Sequence, residues 1–252
     1  LYCLSCAPGN LVKLVDQNVL ELLRSVYENI KKYPVVEEEE SGTGAGGTEA
    51  GGSRGGSATG SASGARARTR TSGGYATSEI VLHIIATIYN VSTCKDCHAR
   101  LVSQDVVELL AEVWPSIKND YSGCTLLVGT MLHLACGNVN SSKMISQGCC
   151  DIICFVTQHV SDPAYAGYYF EPEMNEMCAA GLRNLLIVVK NQEPLVEAGA
   201  IESLCTMATM SGPSGTKNKA ITIRDNCAAA LRSMTYNHQL RTKLLATGAI
   251  KV

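Results

Sequence analysis

LVEAGAIESL, residues 195–204, is a phrase that this chain spells five times in varied form. It returns as LVDQNVLELL from Leu14, LVSQDVVELL from Leu101, MISQGCCDII from Met144 and LLATGAIKV from Leu244. The fifth residue of each phrase serves as an anchor: Asn18, Asp105, Gly148, Gly199 and Gly248. Fourteen places before each anchor the residue is apolar: Leu4, Val91, Leu134, Leu185 and Met234. The anchors lie 87, 43, 51 and 49 residues apart. Once one long insertion is subtracted from the first interval, that is the period of helical repeat units. Gly or Asn at the anchor suits a helix ending in a left-handed residue, with Asp105 the weaker substitute. The phrase therefore reads as the close of one short helix and the start of the next.

Each unit reads as three helices, and the third carries the strongest apolar stripe. Over residues 176–189, Cys178, Gly181, Leu182, Leu185, Leu186 and Val189 recur at intervals of three or four, as one buried helix face requires. Residues 223–235 repeat this with Cys227, Ala230, Leu231 and Met234. Eight residues before the anchor, Asn10, Asn140 and Asn191 stand where a short helix is expected to begin, and Asn is a good N-cap. Cys97 and Leu240 take that place in the other units. Trp114 is expected to end a second helix just before Pro115 and to serve packing.

Composition fits such an array. With 46% hydrophobic and 17% charged residues, the 252-residue chain has the means to bury a continuous core. A net charge of -2 gives no global footprint for nucleic acid or an anionic membrane. The longest mainly apolar stretch, residues 80–91, is too short to span a bilayer and contains His83 and Asn90. The chain opens inside one helix and breaks off inside another, so it reads as an internal piece of a longer array without its polar capping repeats.

The periodic pattern stops over residues 34–78. Within it, residues 41–74 hold 12 of the 23 glycines and no apolar side chain larger than Ala. This stretch is read as a flexible insertion between two helices of one repeat, tolerable because loop-closure entropy grows slowly with length. It begins with the acidic run 37–40 and ends with Arg66, Arg68 and Arg70 beside Thr69, Thr71 and Ser72. That end is either solvated low complexity or a phosphorylatable or nuclear-targeting patch. Residues 162–173, DPAYAGYYFEPE, are a second irregularity, with Tyr165, Tyr168, Tyr169 and Phe170 crowded into a loop. These aromatics either fold back over neighbouring helices or form a partner-binding site.

Twelve cysteines invite a chemical reading. CKDCH, residues 94–98, matches the haem c attachment pattern, but it sits at the start of a repeat's first helix, with Cys97 in the register of the Asn positions. Zinc needs four converging ligands, and the Cys3 and Cys6 pair lies on a different kind of helix from Cys94 and Cys97. No cofactor is assigned. Cysteines on apolar faces act as small hydrophobes, and so many unpaired ones point to a reducing compartment. The five histidines are scattered, and no nucleophile elbow, phosphate loop or HExxH helix is present, so no enzymatic activity is assigned.

LVEAGAIESL preceded by AAGLRNLLIVVKNQEP from Ala179 resembles the armadillo repeat. CAAALRSMTYNHQLRTKLLATGAI from Cys227 is similar, and IIATIYNVS from Ile84 is a more distant version. HEAT repeats are the nearest competitor; three helices per unit and the Gly-Ala phrase favour armadillo. The resemblance implies an all-α, right-handed superhelix of about five repeats, the terminal ones incomplete: a partial repeat over 1–33, the insertion over 34–78, and repeats over 79–252. It further implies that third helices line a concave groove for an extended peptide or a partner's helix. Import adaptors of this family grip basic peptides with a Trp and an Asn array. Here the Asn position reads Asn90, His133, Asn184 and Ser233, but the Trp position reads Ala86, Gly129, Ala180 and Ala229, so binding of nuclear-localisation signals is not expected. Asn90 and Asn184 are left with two roles: fixing a partner's backbone through amide hydrogen bonds, or satisfying neighbouring groups of the chain itself.

The function expected is a non-catalytic, cytoplasmic or nuclear scaffold with a protein partner and no nucleic-acid, membrane or small-molecule ligand. Two alternatives stay open: the substrate-recruiting arm of a ubiquitin ligase whose catalytic module lies elsewhere, and a structural subunit of a cytoskeletal or ciliary assembly.

Overall fold

The computed structural model describes residues 1–32, 74–161, 172–209 and 217–249, and over these the chain is all-α. Its helices are α1 (Tyr2–Ser5), α2 (Leu11–Asp16), α3 (Val19–Lys32), α4 (Gly74–Ser92), α5 (His98–Ser103), α6 (Val106–Ile117), α7 (Tyr121–Ala135), α8 (Asn138–Ser146), α9 (Cys149–Ser161), α10 (Pro172–Leu186), α11 (Val189–Glu197), α12 (Ala200–Thr209), α13 (Lys217–Thr235) and α14 (Arg241–Ala246). Short 3-10 turns over Pro8–Asn10 and Lys95–Cys97 lead into α2 and α5.

The anchors explain the rhythm. Asn18, Asp105, Gly148, Gly199 and Gly248 have φ of 58°, 59°, 90°, 92° and 73°, and they are the described residues with positive φ. Each lets one short helix stop and the next start almost at once. In every case the anchor's N–H donates to the carbonyl three residues earlier: Val15, Val102, Ile145, Val196 and Leu245, at 3.1 to 3.2 Å. The left-handed conformation falls to Gly, Asn and Asp because a β-carbon there crowds the following carbonyl, and short polar side chains recover part of that cost by local hydrogen bonding. The two non-glycine anchors each have a partner. Gln104 Nε2 donates to Asn18 Oδ1 at 2.8 Å, and Gln147 Nε2 donates to Asp105 Oδ1 at 2.6 Å. Lys143 pairs with Asp105 at 2.9 Å and holds its carboxyl below the usual range.

Helices of like kind stack on one another. The third helices form the row α1, α4, α7, α10, α13, and the second helices the row α3, α6, α9, α12; α5, α8 and α11 do the same for the first helices. One continuous apolar core runs between the rows. On α10, Cys178, Leu182, Leu185 and Leu186 have no exposed surface; on α13, Cys227, Ala230 and Met234 have none. Val189, read from sequence as the end of the α10 stripe, instead opens α11 and is 62% exposed.

Two further boundaries differ from those read in the sequence. Helix α6 continues through Pro115 to Ile117 instead of stopping at Trp114. The proline is exposed, so water reaches the carbonyl that loses its partner, while buried Val113 and Ile117 hold the last turn in the core. Trp114 packs edge-on against Phe155, ring centroids 5.3 Å apart. Helix α4 begins at Gly74, inside the stretch 34–78 read as insertion. No helix among the described residues is long and apolar enough to cross a membrane.

Candidate functional site

Asn90, His133, Asn184 and Ser233 each precede a buried apolar residue of a third helix: Val91, Leu134, Leu185 and Met234. Because α4, α7, α10 and α13 stack, equal register brings the four into one half-buried row. Each side chain reaches back to the C-terminal turn of the preceding third helix. Asn90 Nδ2 donates to Ser5 Oγ at 3.1 Å and to Cys6 Sγ at 3.6 Å. His133 Nδ1 meets Ser92 Oγ at 2.9 Å. Asn184 Nδ2 lies 3.9 Å from Cys136 Sγ, and Ser233 Oγ, which donates to the Ala230 carbonyl of its own helix at 2.7 Å, lies 3.2 Å from the Leu186 carbonyl. Of the two roles left open for the asparagines, the chain's own neighbours already take Nδ2; the side-chain carbonyls remain as acceptors for anything that approaches the row.

Ser92 is the hinge of one joint. Its hydroxyl donates to the Tyr89 carbonyl at 2.7 Å, so in the contact with His133 the imidazole Nδ1 carries the proton. His98, which closes the CKDCH motif, is buried and donates Nε2–H to the Ser92 carbonyl at 2.7 Å. Burial, and then the nearby His98, push the pKa of His133 below the ordinary histidine value. A group whose folded pKa is depressed favours the folded state above its unfolded pKa, near 6.5. Stability is expected to be full above that pH and to fall as pH drops through the lower folded value; melting temperature against pH should show the step, and His133→Gln should remove it.

The positions where import adaptors carry Trp hold Ala86, Gly129, Ala180 and Ala229. At Gly129 the space is taken from the side: an added β-carbon would lie 2.7 Å from Tyr89 Cε2 and 3.6 Å from Met177 Sδ. The Tyr89 ring meets His133 in a tilted contact, centroids 5.2 Å apart, and Tyr2 meets His83 in a tilted contact at 5.3 Å. Tyr89 thus touches the row, and reading the sequence for Asn and Trp alone missed it. Its signal was available: Tyr89 sits one place before the row position Asn90.

The Asn positions ahead of the anchors work differently from simple caps. Asn10 does stand at the N-cap of α2, but its Nδ2 donates backwards to the Leu4 carbonyl at 3.2 Å. Asn140 and Asn191 lie inside α8 and α11. Asn191, 2% exposed, donates to Ser141 Oγ at 2.8 Å and to the Leu185 carbonyl at 3.3 Å, and accepts from Ser142 Oγ at 2.9 Å. The next position repeats the device: Gln192 donates to the Leu186 carbonyl at 2.9 Å and Arg241 to the Thr235 carbonyl at 2.9 Å. A third helix leaves its last carbonyls without helical partners, and the chain turns so sharply that side chains of the next helix return to fill them.

Tyr165, Tyr168, Tyr169 and Phe170, and the segment from Arg66 to Ser72, lie outside the described residues. Compared with known proteins, the chain matches no family model, no curated protein and no solved structure.

Proposed function

We propose that this chain is an armadillo-type repeat array, a right-handed superhelix that works as a non-catalytic scaffold and holds a partner's peptide or helix along the face carrying Asn90, His133, Asn184 and Ser233. The observation that supports this most is the regular row itself. Four equivalent side chains stand at equal register on stacked helices, half-buried and held from below, with amide and hydroxyl groups at the surface. A rigid, evenly spaced row of hydrogen-bonding groups suits an extended backbone, whose own donors and acceptors recur evenly. Bonds to the preceding helix fix the rotamers in advance and reduce the entropy lost when a ligand binds.

The test compares wild type with the double variant Asn90→Ala, Asn184→Ala in pull-downs from native lysate, after both are shown to melt at the same temperature. A partner retained by wild type and by a variant on another helix row, Leu22→Ser, but lost from the double variant supports the reading. An unchanged partner set makes the asparagines purely structural and moves attention to Tyr165, Tyr168, Tyr169 and Phe170.

A further inference from the structure

Cys94 and Cys97 are placed differently from the other ten cysteines. Cys94 is the N-cap of the 3-10 turn Lys95–Cys97, with φ -87° and ψ 110°, and Cys97 is the third residue of that turn. The N–H of Cys97 donates to the Cys94 carbonyl at 3.0 Å, closing one tight loop. In this geometry the N-cap side chain leans over the first turn toward the residue three places on, as it does in a capping box, where it reaches that residue's backbone N–H. Here both positions carry thiols, and the single turn between them brings the two residues close together. Cys94 is half-exposed, whereas Cys97 is 2% exposed and packed among the core residues. The turn lies against α2 and α4, at the seam between the first two repeat units. Cys3 and Cys6 have the same spacing but a different setting: both are exposed, Cys3 on α1 and Cys6 at its C-cap, and the Cys6 thiol turns back to the Tyr2 carbonyl at 3.4 Å.

We propose that Cys94 and Cys97 form a reversible dithiol site that exchanges with low-molecular-weight disulfides of the glutathione type. The accessible partner reacts first. The Cys94 thiolate attacks one sulfur of the disulfide, forming a mixed disulfide and expelling one thiolate, which takes up a proton. Cys97 then attacks Cys94 Sγ; its proton leaves as the new S–S bond forms, and the second small thiol departs with a proton. The pair loses two electrons and two protons, and one small disulfide becomes two thiols. Burial first, and then the contact with Cys94, push the Cys97 thiol up to about 12. Cys97 therefore stays protonated and does not react with the small disulfide itself, and its attack on Cys94 passes through its minor thiolate fraction, which makes ring closure the slow step. Closing the bond draws Cys97 toward Cys94 and out of its packing against α2 and α4, so the redox state of the site acts on the seam.

The full chain is incubated in reduced and oxidised glutathione at several ratios, quenched with acid, alkylated and mapped by peptide mass. Wild type is expected to accumulate a Cys94–Cys97 disulfide, seen as loss of two hydrogens and reversed by dithiothreitol. Cys97→Ala is expected to stop at a glutathione adduct on Cys94, and Cys94→Ser to leave Cys97 unmodified. Exposed Cys136 supplies the internal control that the oxidant is active. The proposal is overturned if wild type carries only glutathione on Cys94, or if both thiols stay free while Cys136 has reacted. Since the deciding reading is made on wild type, a variant that fails to fold does not blur it.

Discussion

Asn191→Leu is expected to lower the free energy of unfolding by roughly 3–4 kcal/mol, read as a fall in denaturant midpoint with an unchanged slope. Asn191 is 2% exposed and holds three groups together: Ser141 Oγ, Ser142 Oγ and the Leu185 carbonyl. Leucine matches its volume but removes two donors and one acceptor from this network, and a buried polar group that loses a bond, as the Leu185 carbonyl does, costs about 1–3 kcal/mol. The apolar gain is small because the site offers the new methyl groups polar neighbours. Asn184→Ala is the control. Its contact with Cys136 Sγ spans 3.9 Å on a half-buried side chain, so water replaces what is lost and the expected cost stays under about 1 kcal/mol. Equal costs for the two variants would mean that burial does not set the value of these amides.

That contrast also marks what the sequence made legible. Position relative to an anchor can be counted, so the register of Asn90, His133, Asn184 and Ser233 was readable from the repeat alone. The bonds they make were not, because their partners Ser5, Cys6, Ser92 and Cys136 lie on the preceding unit, 41 to 85 residues away in the chain. Asn191 shows the same limit. Local propensity marks it as a cap, but the carbonyl it serves ends the previous helix, a tertiary demand that overrides the local preference. Pro115 is a second such override: buried Val113 and Ile117 carry α6 past a residue that by itself would end it. What depends only on backbone sterics could be read directly. The five anchors share a conformation that few residue types accept, and their identities reveal it.

That sterics alone sets the anchors leads to the other large expected effect. Gly199→Val should destabilise the chain by roughly 2–3 kcal/mol, measured by the same denaturant titration. Gly199 has φ +92°, and an added β-carbon would lie 3.3 Å from Gln158 Nε2. A β-branched residue pays the left-handed cost in full, with no polar atom to recover any of it, and its second methyl adds crowding against Gln158. Asn at the same place should cost about 1 kcal/mol less, since a short amide tolerates the conformation. Asp105→Gly runs the exchange backwards. It relieves the strain at φ 59° but gives up the bond from Gln147 and the exposed pair with Lys143, so the two changes should nearly offset each other. If Gly199→Val proved as mild as Gly199→Asn, the left-handed anchor would not be held in solution, and the stop between one helix and the next, on which the stacking of every unit depends, would need another cause.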